Sequence, residues 1–110
     1  MNWIELQSIE QAKELINSST EKPVLFFKHS VRCSISSMAK DRLERKWNID
    51  DSKVAPIYLD LLNHRDVSNF LATELNVEHQ SPQVILVKNK MATYSETHSM
   101  ISVNGISEEL

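Results

Sequence analysis

Apolar and polar positions along the chain switch between two periods, and the switches mark out the elements. Trp3 to Leu6 predicts a short opening strand. Ser8 followed by Ile9, Ala12, Leu15 and Ile16 predicts a capped amphipathic helix that ends at Asn17-Ser18-Ser19-Thr20. Pro23 then opens Val24-Leu25-Phe26-Phe27, a continuous apolar run bounded by polar residues, as a strand covered on both faces requires. This is the expected central strand. Beyond it, Ile35, Met38, Ala39 and Leu43 fall on one helical face while Lys40, Asp41, Arg42, Glu44 and Arg45 largely fill the other. A helix is therefore expected to begin near Cys33, with Met38, Leu43 and Trp47 in its packing.

Val54 to Leu61 reads as a third strand, in which Pro56 lacks the N–H for a ladder and so suggests a sheet edge or a bulge. Asn63 is the expected N-cap of a helix carrying Asp66, Val67, Phe70, Leu71 and Leu75, closed by Asn76 in the left-handed conformation. After Glu78-His79-Gln80-Ser81-Pro82, the runs Val84–Val87 and Met91–Ser95 form a hairpin with Asn89 in its turn. A short helix is expected after Ser102, although Gly105 weakens it. Strands and helices alternate through the first two thirds, which implies parallel strands joined by crossover helices. The terminal hairpin makes the sheet mixed, in an α/β class. No repeat, linker or low-complexity segment divides the chain, so residues 1–110 are read as one domain.

With 110 residues, 41% of them hydrophobic, the chain holds enough apolar surface for one core without disulfide or metal staples. Twelve Lys+Arg against 15 Asp+Glu give a formal charge of −3. No basic run forms a phosphate-binding stripe, so no nucleic acid partner is expected. No segment looks membrane-spanning, and Met1 to Gln7 lacks both the basic start and the apolar stretch of an export signal, so the expected compartment is the cytosol. Gly105 is the only glycine, where an average usage of ~7% would give roughly eight. Glycine-rich phosphate loops are thereby excluded, and positive φ is expected to fall to Asn, Asp or Ser. His29, His64, His79 and His98 share no metal-ligand spacing with Cys33 and read as surface or loop residues.

Candidate chemistry centres on Cys33, the sole cysteine, set in His29-Ser30-Val31-Arg32-Cys33-Ser34-Ile35-Ser36 between the central strand and its helix. Unpaired N–H groups and the positive end of a helix dipole favour a thiolate there, and the thiolate is the nucleophile. Without a second cysteine no internal disulfide can form, so redox chemistry must pass through a disulfide to another molecule. Arg32 is placed to stabilise the thiolate or to receive an anionic end of a ligand, and Ser30 and Ser36 to donate hydrogen bonds.

The element order, the cysteine at the helix mouth and a proline just before the hairpin together resemble the thioredoxin fold, a mixed sheet of about five strands flanked by helices. That resemblance implies a cis Ser81-Pro82 bond beside Cys33 and Ser81 backbone groups free to pair with a bound thiol or peptide. Ser36 stands where thioredoxins place their second cysteine. Phe27-Lys28-His29-Ser30, Cys33, Ile35-Ser36 and His79-Gln80-Ser81-Pro82-Gln83-Val84 are similar, over nearly the whole chain, to monothiol bacilliredoxins of the YtxJ type. The family's usual proline after the cysteine is Ser34 here, which softens the helix start while keeping its N–H groups.

The resemblance implies a cytoplasmic thiol-disulfide oxidoreductase that uncaps proteins carrying bacillithiol, a small thiol of many Gram-positive bacteria. Bacillithiol acts as co-substrate and no bound cofactor is needed. S-bacillithiolated proteins are the implied partners, and a second bacillithiol or a partner reductase regenerates the thiol. His79 is a possible substrate contact. Two rivals remain: an iron-sulfur carrier like the monothiol glutaredoxins, whose Cys-Gly-Phe-Ser and Gly-Gly signatures are missing, and a non-enzymatic binding module in which Cys33 stays buried.

Overall fold

The computed structural model describes residues 1–110. Five strands, β1 (Ile4–Glu5), β2 (Val24–His29), β3 (Ala55–Asp60), β4 (Gln83–Lys88) and β5 (Met91–Thr97), form one sheet in the order β1-β3-β2-β4-β5. Four helices accompany them: α1 (Ile9–Ser18), α2 (Ser34–Lys46), α3 (Arg65–Leu75) and α4 (Val103–Glu108), with a single 3₁₀ turn at His98–Met100. β2 runs parallel to β3 and antiparallel to β4, so the sheet is mixed, as expected. None of the helices is long and apolar enough to cross a membrane.

β2 is the central strand, and its two faces build two cores. Val24 and Phe26 join Ala12, Ile16, Val67 and Leu71 on one side, while Leu25 and Phe27 join Ala39, Leu43 and Ile106 on the other. All of these side chains are buried, and each Val, Leu, Ile or Phe among them stabilises the fold by about 1.5–3 kcal/mol. The strand outruns its apolar sequence by two residues, Lys28 and His29, both buried.

Local signals hold at most helix ends. Ser8 caps α1 by accepting from the Gln11 N–H, and Ser102 caps α4 by accepting from Gly105. Asn76 closes α3 at φ 53°. Gly105 leaves room for Tyr94, whose hydroxyl would lie 2.6 Å from a Cβ at this position and would have to shift. The hairpin turns on Asn89 and Lys90, at φ 51° and 68°, the paired positive values of a two-residue turn that matches strand twist.

Three expectations need correction. The cap of α3 is His64, without a side-chain bond, because Asn63 instead donates to Asp60 at 2.7 Å. Positive φ falls not only on asparagine but on Lys90 and His98. In α2 the buried stripe is Ser36, Ala39 and Leu43, while Ile35 and Met38 are more than half exposed. The sheet covers a stripe rotated from the apolar one.

Pro56 sits inside the sheet order and is buried, just beyond the end of the β1 pairing. Ala55 donates to Pro23 across the β2 side, so the Pro56 nitrogen faces the other way, where β1 pairs only from Ile57 onward. No ladder bond is lost there.

Candidate active site

β2 ends at His29 and the chain turns through Ser30 to Arg32 into α2, with the Cys33 N–H donating to the Ser30 carbonyl at 3.2 Å. Cys33 is the N-cap of α2, in extended conformation, and half-buried. Its carbonyl accepts from Ser37, the first intrahelical bond. No side chain caps this end. The N–H groups of the first turn therefore lack a side-chain acceptor, and Cys33 is the residue at the position where a serine or aspartate would serve them. An anionic sulfur is favoured there by the same dipole that favours a carboxylate.

Ser34 opens the helix, exposed, with an N–H that no group accepts. Cys33 at φ −108° and ψ 119° already has the backbone that a following proline demands. Ser34→Pro is therefore expected to raise stability by about 0.4–1 kcal/mol, read as a higher urea midpoint.

Ser81-Pro82 is cis. Because Gln83 pairs with Lys28, the two residues before it run alongside His29 and Ser30, next to the turn that carries Cys33. The Pro82 carbonyl accepts from His98, whereas the Ser81 N–H and carbonyl take part in no backbone bond. The Ser81 hydroxyl is buried without a partner. Arg32 is exposed and forms no ion pair.

Ser36 faces inward. It is fully buried, its Oγ accepts from the Ser30 N–H at 3.1 Å, and it lies 2.6 Å from His29 Nδ1. This hydroxyl ties the start of α2 to the end of β2 and makes no bond to the Cys33 sulfur. His29 itself, expected on a surface or loop, is 4% exposed and packs on the rings of Phe27 and Tyr58 at 5.7 and 5.6 Å. Burial, reinforced by the Lys40 charge, pushes its pKa down. The alternation Leu25, Phe27, His29 along β2 was the signal that could have placed it inward.

His79 is not gathered with these residues. Its Nδ1 lies 3.2 Å from the Lys28 ammonium and 3.3 Å from the Ser68 hydroxyl, on the α3 side of the sheet. Lys28 also donates to the Ser68 carbonyl at 3.1 Å. Fully buried and without a carboxylate, Lys28 has its pKa lowered to about 8 by desolvation. Burial, followed by the charges of Lys28 and Arg65, lowers that of His79.

The family described as monothiol bacilliredoxin BrxC matches residues 4–106. A solved structure described as a candidate oxidoreductase with a thioredoxin fold superposes with a TM-score of 0.83 at 31% identity, covering 96% of this chain and 91% of that one. Malassezia sympodialis thioredoxin superposes at 0.73 with 16% identity, covering 97% and 86% of the two chains. Mitochondrial thioredoxin 3 of Saccharomyces cerevisiae gives 0.71 at 14%, covering 96% and 91%. The last two share the fold alone. The architecture is thioredoxin-like and the protein is of redox type. Its one thiol at the helix mouth, with serine three residues on, agrees with a match that spans nearly the whole chain: it belongs to the monothiol bacilliredoxin family.

Proposed function

We propose that this protein removes bacillithiol from S-bacillithiolated proteins by thiol-disulfide exchange at Cys33. The observation that carries the reading is a lone, half-buried thiol at the uncapped N-terminus of α2, beside cis Ser81-Pro82 and with Ser36 in the resolving position. The Cys33 thiolate attacks the bacillithiol sulfur of the capped protein. The new S–S bond joins Cys33 to bacillithiol, and the client cysteine leaves as a thiolate. A second bacillithiol, or a thiol of a partner reductase, then attacks the mixed disulfide and releases Cys33. The electrons come from that external thiol, and no bound cofactor enters any step.

The supporting residues divide by position. The free Ser81 N–H and carbonyl suit the backbone of an extended client segment, and Arg32 suits an anionic group. Ser30 and Ser36 hold the turn in shape. A reducing cytoplasm is the compartment in which a single unpaired thiol stays available.

Intact-mass analysis after mixing with a bacillithiol-capped protein tests the reading. Wild type is expected to gain one bacillithiol mass while the client loses it, and Cys33→Ala to gain none. A cap that stays on the client with wild type, as with the variant, would overturn it.

A further inference from the structure

The apolar face of the sheet that packs on α1 and α3 ends in two polar side chains. Along β2 this face carries Val24, Phe26 and Lys28, and along β4 Val87, Ile85 and Gln83, paired across the strands as Val24 with Val87, Phe26 with Ile85 and Lys28 with Gln83. Lys28 is fully buried and Gln83 is 2% exposed. No carboxylate pairs with the lysine, and two apolar residues here would extend the core without a desolvation cost.

Both side chains direct their bonds to one short segment, Glu78 to Gln80, which leads into cis Ser81-Pro82. Gln83 Nε2 donates to the Glu78 carbonyl at 3.0 Å, and its Oε1 accepts from the Gln80 N–H at 3.3 Å. Between these contacts the Lys28 ammonium donates to His79 Nδ1 at 3.2 Å, while another of its hydrogens goes to the Ser68 carbonyl of α3 at 3.1 Å. Three consecutive residues are thus held from the sheet. Beyond the proline, the His98 N–H holds the Pro82 carbonyl at 3.1 Å. Ser81 lies between the two anchorages with its own N–H and carbonyl free.

Glu78, His79 and Gln80 are exposed, so water would serve their polar groups if the two buried side chains were apolar. The bonds are therefore not needed to satisfy the segment. What they fix is where it lies.

We propose that Lys28 and Gln83 are positioning residues for protein-borne disulfides: they hold residues 78–80 to the sheet so that the Ser81 N–H and carbonyl stand ready to pair with the extended backbone around a client's disulfide. The proposal rests on reading Cys33 as a centre of exchange and Ser81 as the client's backbone contact. A low-mass disulfide has no such backbone, and its exchange reports the thiol alone.

Two substrates with the same cap separate these roles: a short peptide whose single cysteine is joined to 2-mercaptoethanol, and 2-hydroxyethyl disulfide. In each, the Cys33 thiolate attacks the cap sulfur and the substrate S–S bond breaks. A new S–S bond joins Cys33 to the cap, and the peptide thiolate or the second mercaptoethanol thiolate leaves. Intact mass reads the cap on Cys33, and division by the rates of free cysteine removes differences in leaving group.

Wild type is expected to favour the peptide by about tenfold or more, the contribution of one or two backbone hydrogen bonds. Gln83→Leu and Lys28→Met should each lower that ratio by about threefold, and the double variant should bring it to within about twofold of unity. Glu10→Gln, on α1, should leave it unchanged. Because each apolar replacement removes a buried polar group, the urea midpoints of the variants at pH 7 should not fall.

A ratio that keeps its wild-type value in the double variant overturns the proposal, as does a wild type without preference for the peptide. So does a lowered urea midpoint with both substrates slowed alike, the mark of a purely structural role. Failure of bacillithiol transfer with the ratio behaving as stated would defeat the proposed function and leave the placement by Lys28 and Gln83 standing; successful transfer with an unmoved ratio would do the reverse.

Discussion

The Ser36→Cys variant is expected to shed a small thiol from Cys33 that the wild-type protein holds until an external thiol arrives. Position 36 lies one helical turn from the N-cap, and the wild-type hydroxyl there cannot displace a disulfide. The introduced thiolate attacks the Cys33 sulfur, an internal disulfide forms, and the small thiol leaves. Well-oriented intramolecular reactions reach effective molarities of ~10⁵ M or more, so release at micromolar external thiol should accelerate by at least about a thousandfold. The substitution has a cost, because the Ser36 hydroxyl serves the Ser30 N–H and His29 in a fully buried setting. Losing good partners for these groups should destabilise the reduced variant by about 1–3 kcal/mol. Intact mass of the purified mixed disulfide, followed in thiol-free buffer, checks the first effect, and a urea midpoint checks the second. An adduct that persists in the variant as in wild type would contradict the placement of position 36 against Cys33.

The stability of the wild-type protein should rise with pH through an alkaline window, and Lys28→Met should flatten that rise. Burial lowers the Lys28 pKa from 10.5 to about 8. Between these values the unfolded chain binds the proton and the folded chain does not. The unfolding free energy therefore increases with pH across the window, and below about pH 8 the protein carries the full cost of a buried charge. The shift corresponds to about 3 kcal/mol at full linkage. Solvent reaches the cluster through exposed His79, which reduces the expected rise to about 2 kcal/mol. Denaturant unfolding of both proteins at pH 7, 8, 9 and 10 reads the difference. Parallel curves for the two proteins would show that the ammonium is not paying a desolvation cost in the fold.

The elements were legible where their signals were local. Ser8, Asn76, Asn89 and Ser102 act within a few residues of themselves, and each behaves in the structure as its side chain and neighbours imply. Asn63 shows where such reading stops. Its amide had two acceptable uses, and the nearby Asp60 carboxylate at the end of β3 took it from the helix. The α2 face failed for a different reason. Ile35 and Met38 are apolar and correctly spaced, but the sheet meets the helix along Ser36, Ala39 and Leu43, where small residues allow close approach and a hydroxyl finds buried partners.

The candidate site divided along the same line. Cys33 was visible because strand, turn and helix follow one another in the chain, and the cis Ser81-Pro82 bond expected from the thioredoxin likeness is present. His29 was not, since its only sign is the alternation with Leu25 and Phe27, which counts only if the strand runs on past the apolar residues. His79 was expected near the thiol from its sequence neighbours, yet its ring nitrogen is bound to Lys28 and Ser68 on the α3 side of the sheet.

The sequence by itself determined the order of strands and helices, the placement of a single thiol at a helix mouth, and the absence of any second thiol to resolve it. These follow from short-range patterning and from a count. Only the tertiary structure decided that Lys28 and His29 lie buried on opposite faces of one strand and that Ser36 pairs with His29. The physical reason is register. Which side of a strand meets which helix is set by pairing between segments far apart in the chain, and that pairing chooses the partners of every buried polar group.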